Sequence, residues 1–193
     1  MSGKSTKSTI FTAANCCTML RIVLCPVLLA LKSRSAAFLI VYGLCGLTDA
    51  LDGFLARRSG TASAFGAKLD SAADLSFYSV MLIKTFPLML QTLTRTVWIL
   101  LAATMLLHVL IYLTAALRYR RFASSHTWLN KLTGLLVFLV PYMLPQRFGV
   151  GYSMGACIVS LVAGCEELSL YLISPVYRPE IHSLVQLLRA QKK

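Results

Sequence analysis

The sequence predicts an all-α integral membrane bundle of six transmembrane helices with an amphipathic C-terminal helix. Three observations predict it. Of 193 residues, 57% are hydrophobic and only 13% charged, where soluble domains run near a quarter charged. Six apolar segments, at about 10–31, 36–56, 71–93, 97–117, 128–146 and 150–173, each approach the ~20 residues a spanning helix needs. Most of the basic residues fall before, between and after these runs. Runs of this kind resolve as helices, because lipid offers no partner for an open strand edge. The length suits one domain, residues 1–193.

Taken in order, residues 1–9 are rich in Ser, Thr and Lys and read as a mobile N-terminus. Lys4 and Lys7 before an apolar run mimic a signal peptide, but no small-residue cleavage site closes the run and five more segments follow. The first segment therefore reads as a retained span. The second carries Asp49 and Asp52 near its end. Between it and the third, Ser59, Gly60, Thr61, Ser63 and Gly66 indicate a helix break and turn. The third opens with Asp70 and Asp74, and the fifth carries Pro141 and Pro145 near its far end. After Pro175, apolar residues Ile181, Leu184, Val185, Leu187 and Leu188 recur at helical spacing among Arg189, Lys192 and Lys193. Residues 176–193 thus read as a helix lying on the membrane surface.

The net charge of +12 does not point to nucleic acid, because no basic surface is interleaved with aromatic residues. Topology and anionic headgroups account for it better. Lys4, Lys7, Arg21, Arg57, Arg58, Lys68, Arg118, Arg120, Arg121, Lys131, Arg178, Arg189, Lys192 and Lys193 share one side, against Lys32, Arg34, Lys84, Arg95 and Arg147 on the other. The positive-inside rule then places both termini on the cytoplasmic side of the cell membrane, together with the loop after the second span. Trp128 reads as a residue of the interfacial aromatic belt. The six cysteines show no C-x-x-C or C-x-x-H spacing, so disulfide or zinc chemistry is not expected.

Four aspartates, Asp49, Asp52, Asp70 and Asp74, are all the chain has, and they fall within one short stretch. A carboxylate at bilayer depth costs roughly 2.5–3.5 kcal/mol on insertion scales, so four together require a partner and a purpose. One or two Mg²⁺-like cations suit four hard oxygen donors. Asp49 and Asp52 are three apart, and Asp70 and Asp74 four apart, so each pair shares a helix face. Two neighbouring helices would aim both pairs at one point, a geometry suited to a two-metal phosphoryl displacement. Gly53 and Gly66 would let a base or sugar approach the backbone, and Arg57 would offer a fixed cation to a diphosphate.

The stretch Asp49-x-x-Asp52-Gly53-x-x-Ala56-Arg57-x8-Gly66-x-x-x-Asp70-x-x-x-Asp74 resembles, without a substitution, the signature of the CDP-alcohol phosphotransferase family. Asn15-x-x-Thr18-x-x-Arg21 is similar to the opening of its bacterial members. One departure is Leu75 after Asp74, where many relatives carry Lys, which bears on acceptor choice. The resemblance implies a homodimeric six-helix enzyme that transfers a phosphatidyl group from CDP-diacylglycerol to a small alcohol and releases CMP. It implies Asp49, Asp52 and Asp70 as ligands of two ions, Mg²⁺ or Mn²⁺, with Asp74 as a further ligand and the general base. It also implies Gly53, Ala56, Arg57 and Gly66 around the nucleotide, where Asn15 and Thr18 could serve as readily as helix caps. Arg118, Arg121 and Lys131 flank the fifth span and could hold an acceptor phosphate or simply anchor the loop. Glycerol-3-phosphate leads as acceptor, with serine and inositol phosphate behind it. The rivals from other classes are a membrane prenyltransferase, which lacks the D-G-x-x-A-R core, and a cation transporter, which leaves the glycines and Arg57 without a reason.

Overall fold

The apolar runs fold as helices and, among the described residues, as nothing else. The structure, a computed structural model, describes residues 12–59, 63–119 and 127–173; within these ranges the side chains of Phe54, Ala56, Arg57, Ser59, Ala64 and Ala67 are not described. Six helices follow one another: α1 Ala13–Ala30, α2 Ala36–Ser59, α3 Ala64–Thr92, α4 Arg95–Tyr119, α5 Trp128–Met143 and α6 Gly149–Ile173. The expected N-terminal tail 1–9 and the surface helix 176–193 lie outside the described residues.

Short polar side chains start four of the helices. Thr12 accepts from the Asn15 amide at 3.1 Å, Ser35 from Phe38 at 3.1 Å, Ser63 from Gly66 at 3.0 Å and Thr127 from Asn130 at 3.2 Å. Each satisfies one of the amides a helix leaves unpaired at its start, a contribution of about 1 kcal/mol. The Ser63 cap starts α3 at Ala64, earlier than the expected 71, so Gly66 stands in the first turn of a helix and not in a loop.

Among the described residues, five helices are long and apolar enough to cross a membrane. The fifth differs from expectation: α5 has 16 residues and ends at Met143, which at 1.5 Å per residue is about 24 Å. Pro145 has no N–H with which to continue the ladder, and the chain turns through Gln146 and Gly149 amides bonded to Met143 and Gln146 carbonyls, each at 2.9 Å. Large apolar side chains such as Leu82, Leu106 and Leu117 stay exposed along the helices. With the helix lengths, this defines an integral membrane protein. All six cysteines are free.

The chain divides into two compact units, residues 1–90 and 91–193. In the first, α1 packs along α2. The buried stripe of α1 is Ala14, Thr18, Arg21, Cys25 and Leu28, and that of α2 is Phe38, Tyr42, Cys45, Thr48 and Asp52. Both recur at three- and four-residue spacing, and both place a polar group in the buried line. Helix α3 joins this pair by ties along its length. Near its start Asp70 and Asp74 meet Arg21. At its middle Phe77 stacks on Tyr42, with centroids 5.6 Å apart. Further on, Lys84 Nζ donates to the Leu31 carbonyl at 2.7 Å, where a cation suits the α1 C-terminus.

In the second unit α6 packs against α4 and α5. A Cβ on Gly164 would lie 2.6 Å from Leu107 Cδ2, so a missing side chain allows the approach of α4. Glu167 is buried and accepts from Asn130 Nδ2 at 2.6 Å and Tyr171 Oη at 2.8 Å.

Candidate metal and substrate site

The site lies within the first unit and is built around a side chain the sequence reading had assigned to topology. Arg21 stands more than two turns inside α1 and is 1% exposed. Its Nη1 lies 2.7 Å from Asp49 Oδ1 and 2.5 Å from Asp74 Oδ1. Its Nη2 lies 2.5 Å from Asp52 Oδ2 and 3.4 Å from Asp70 Oδ1. One guanidinium thus gathers all four aspartates from α2 and α3. Arg21 is therefore no topology anchor, and removing it from the basic count leaves thirteen residues against five. Its signal was present in Asn15-x-x-Thr18-x-x-Arg21, a spacing that keeps three polar residues on one helix face. All three are buried.

The four carboxylates are not equivalent. Asp52 completes the buried stripe of α2, with its side chain only 8% exposed. Its Oδ2 is also 2.9 Å from the Thr18 hydroxyl, which shares its single proton with the Ala14 carbonyl at 3.1 Å. Asp49, Asp70 and Asp74 have side chains 57%, 47% and 41% exposed. Each of these three offers a carboxylate oxygen, and the three oxygens lie within 4.8 Å of one another. Opposite ligands of one Mg²⁺ at 2.0–2.1 Å stand up to about 4.2 Å apart, so the three oxygens would have to close by roughly a few tenths of an ångström to hold it. The fit lies in the chemistry of the donors, which are the hard carboxylate oxygens such a cation takes. Four carboxylates and one guanidinium leave three negative charges. At an effective dielectric constant of 20, each pair at 4 Å repels by about 4 kcal/mol, and a bound cation would relieve that repulsion.

Of the residues expected near a nucleotide, Asn15, Thr18 and Gly66 are brought together with the aspartates. Thr18 reaches Asp52 itself. A Cβ on Gly66 would stand 2.9 Å from Asn15 Oδ1, so Gly66 gives α3 room beside the Asn15 side chain. The helix caps are Thr12, Ser35, Ser63 and Thr127, not Asn15 or Thr18. Gly53 follows Asp52 and is half-buried. Ala56 and Arg57 stand in the last turns of α2, with side chains outside the description. Arg118 stands in the last turn of α4 in the second unit, and Arg121 lies outside the described residues. Lys131, in the first turn of α5, holds its Nζ 4.8 Å from the centroid of the exposed Trp128 ring.

Among the described residues the protein is helical, with apolar helices of membrane-spanning length and a buried arginine at the centre of four aspartates. The family profile for CDP-alcohol phosphatidyltransferase matches residues 11–165, and the chain belongs to that family. It is 36% identical to the cardiolipin synthase (CMP-forming) of Rattus norvegicus over 120 residues, 61% of this chain and 38% of that protein. The corresponding protein of Homo sapiens is 34% identical over 120 residues, with the same shares. The CDP-diacylglycerol–serine O-phosphatidyltransferase of Methanocaldococcus jannaschii is 38% identical over 71 residues, 37% of this chain and 33% of that protein. The chain thus matches between 33% and 38% of the length of these curated relatives. No solved structure matches.

Proposed function

We propose that the protein transfers a phosphatidyl group from CDP-diacylglycerol to the hydroxyl of an alcohol and releases CMP. The observation that carries this is the meeting of Asp49, Asp52, Asp70 and Asp74 on one guanidinium, with three of the carboxylates spaced as ligands. Asp49, Asp70 and Asp74 would hold a divalent cation, Mg²⁺ or Mn²⁺, with Asp52 joining them for a second ion. When bound, such ions neutralise a diphosphate and stabilise the departing CMP. Asp74 takes the proton as the acceptor oxygen bonds to phosphorus and the bond to CMP breaks. Asn15, Thr18, Gly53, Ala56, Arg57 and Gly66 line the nucleotide. The site faces the cytoplasm, by the basic residues on that side of the chain.

The acceptor carries a glycerol phosphate group, with glycerol-3-phosphate first. Likeness to two cardiolipin synthases over 61% of the chain favours a second reading, in which the same group is the headgroup of phosphatidylglycerol. Arg118, Arg121 and Lys131 are the cations proposed for its phosphate, and the active form is a homodimer. One assay tests the reading. The purified protein is given CDP-diacylglycerol with glycerol-3-phosphate, phosphatidylglycerol or serine, and the lipid product is weighed by mass spectrometry. Phosphatidylglycerophosphate or cardiolipin is expected. Phosphatidylserine alone would contradict the phosphate-bearing acceptor, and no CMP with any acceptor would contradict the reaction.

A further inference from the structure

Arg21 does more than gather the aspartates, because its two Nη atoms face unlike partners. Nη2 lies 2.5 Å from Asp52, which is buried and shared with Thr18, and reaches the ligand Asp70 only at 3.4 Å. Nη1 lies against Asp49 and Asp74, two of the three carboxylates spaced as cation ligands. Nε is buried and has no hydrogen-bond partner, so the guanidinium is held through its Nη atoms. A carboxylate oxygen that accepts a charged N–H offers less to a cation, and a fixed positive charge beside the ligands repels a dication.

Building on the metal-binding reading above, we infer that Arg21 is a resident counter-cation that competes with the divalent ion for Asp49 and Asp74. Nη2 keeps its hold on Asp52, while Nη1 releases Asp49 and Asp74 as the ion is bound. Arg21 thereby loosens metal binding and holds the four carboxylates together without metal. It is a positioning residue, acting through the aspartates it holds.

Mn²⁺ binding to the detergent-purified full chain, read from the free-Mn²⁺ resonance signal, tests this together with thermal melting. Arg21→Gln should bind Mn²⁺ about tenfold or more tightly than wild type, and Arg21→Lys by a smaller factor. In EDTA, Arg21→Gln should melt below wild type, and Mn²⁺ should raise its midpoint by more. Affinity unchanged or weakened in Arg21→Gln, where Asp70→Asn still abolishes binding, overturns the competition and leaves the metal site standing. Mn²⁺ bound equally well by Asp70→Asn and wild type, or by neither wild type nor Arg21→Gln, overturns the metal site and the competition with it. Should Arg21→Gln fail to fold by circular dichroism, Arg21→Lys decides: tighter binding than wild type supports competition, and equal or weaker binding refutes it.

Discussion

Asp52 and Asp49 are one turn apart on α2, yet their environments predict different costs of substitution. Asp52→Asn removes a buried charge that Arg21 and Thr18 both contact. Breaking a buried ion pair typically costs 3–5 kcal/mol, less here because three carboxylates still reach the guanidinium. Asp49→Asn and Asp70→Asn alter side chains that are about half exposed and should leave stability nearly unchanged. All three variants should be almost inactive while folded, and thermal melting in detergent should single out Asp52→Asn. Equal midpoints for Asp49→Asn and Asp52→Asn would remove the anchoring role of Asp52. Asp74→Asn should abolish transfer yet retain CDP-diacylglycerol binding, as measured by calorimetry. Loss of lipid affinity as severe as in Asp70→Asn would make Asp74 an ordinary ligand. The aspartates were legible because four charges cannot stand at membrane depth without a purpose. Arg21 was not, because a basic residue near a span end also satisfies the positive-inside rule. Only its place on the Asn15–Thr18 face distinguishes it.

Between helices, small residues decide how closely backbones approach. Gly66→Ala would put a methyl group 2.9 Å from Asn15 Oδ1, displacing a short side chain inside the site, whereas Gly134 has open space around its Cβ position. Alanine in a helix interior is favoured over glycine by about 1 kcal/mol, so Gly134→Ala should hold or raise the melting midpoint. Gly66→Ala should lower both midpoint and CMP release. Matching behaviour of the two variants would show that Gly66 acts only through helix propensity. The length of the apolar runs revealed the helices themselves, since such a run in lipid has few alternatives. That length did not reveal where α3 begins, because Ser63, Gly66 and the residues before them read equally as a turn or as a cap with its first turn. The length of α5 hung on Pro145, a single missing donor.

Across the whole molecule, the residues proposed for the reaction fall in two compact units. The aspartates, Arg21, Asn15, Thr18 and Gly66 belong to the first, while Arg118 and Lys131 belong to the second. If the second unit supplies the acceptor's phosphate contact, replacing Arg118, Arg121 or Lys131 with Gln should raise the acceptor KM about tenfold or more. A charge-assisted contact is worth roughly 1.5–3 kcal/mol, and KM for CDP-diacylglycerol should hardly change. Unaltered acceptor KM in all three variants would return these residues to topology. The central claim is that the carboxylate cluster is a metal-dependent site for releasing CMP. Its most direct test is CMP release from CDP-diacylglycerol by the purified full chain, titrated with Mg²⁺ or Mn²⁺ after EDTA, in wild type and Asp70→Asn. Release that EDTA abolishes, that metal restores in wild type and that Asp70→Asn lacks at every metal concentration is the predicted result. Release that persists in EDTA, or that Asp70→Asn matches, would contradict it.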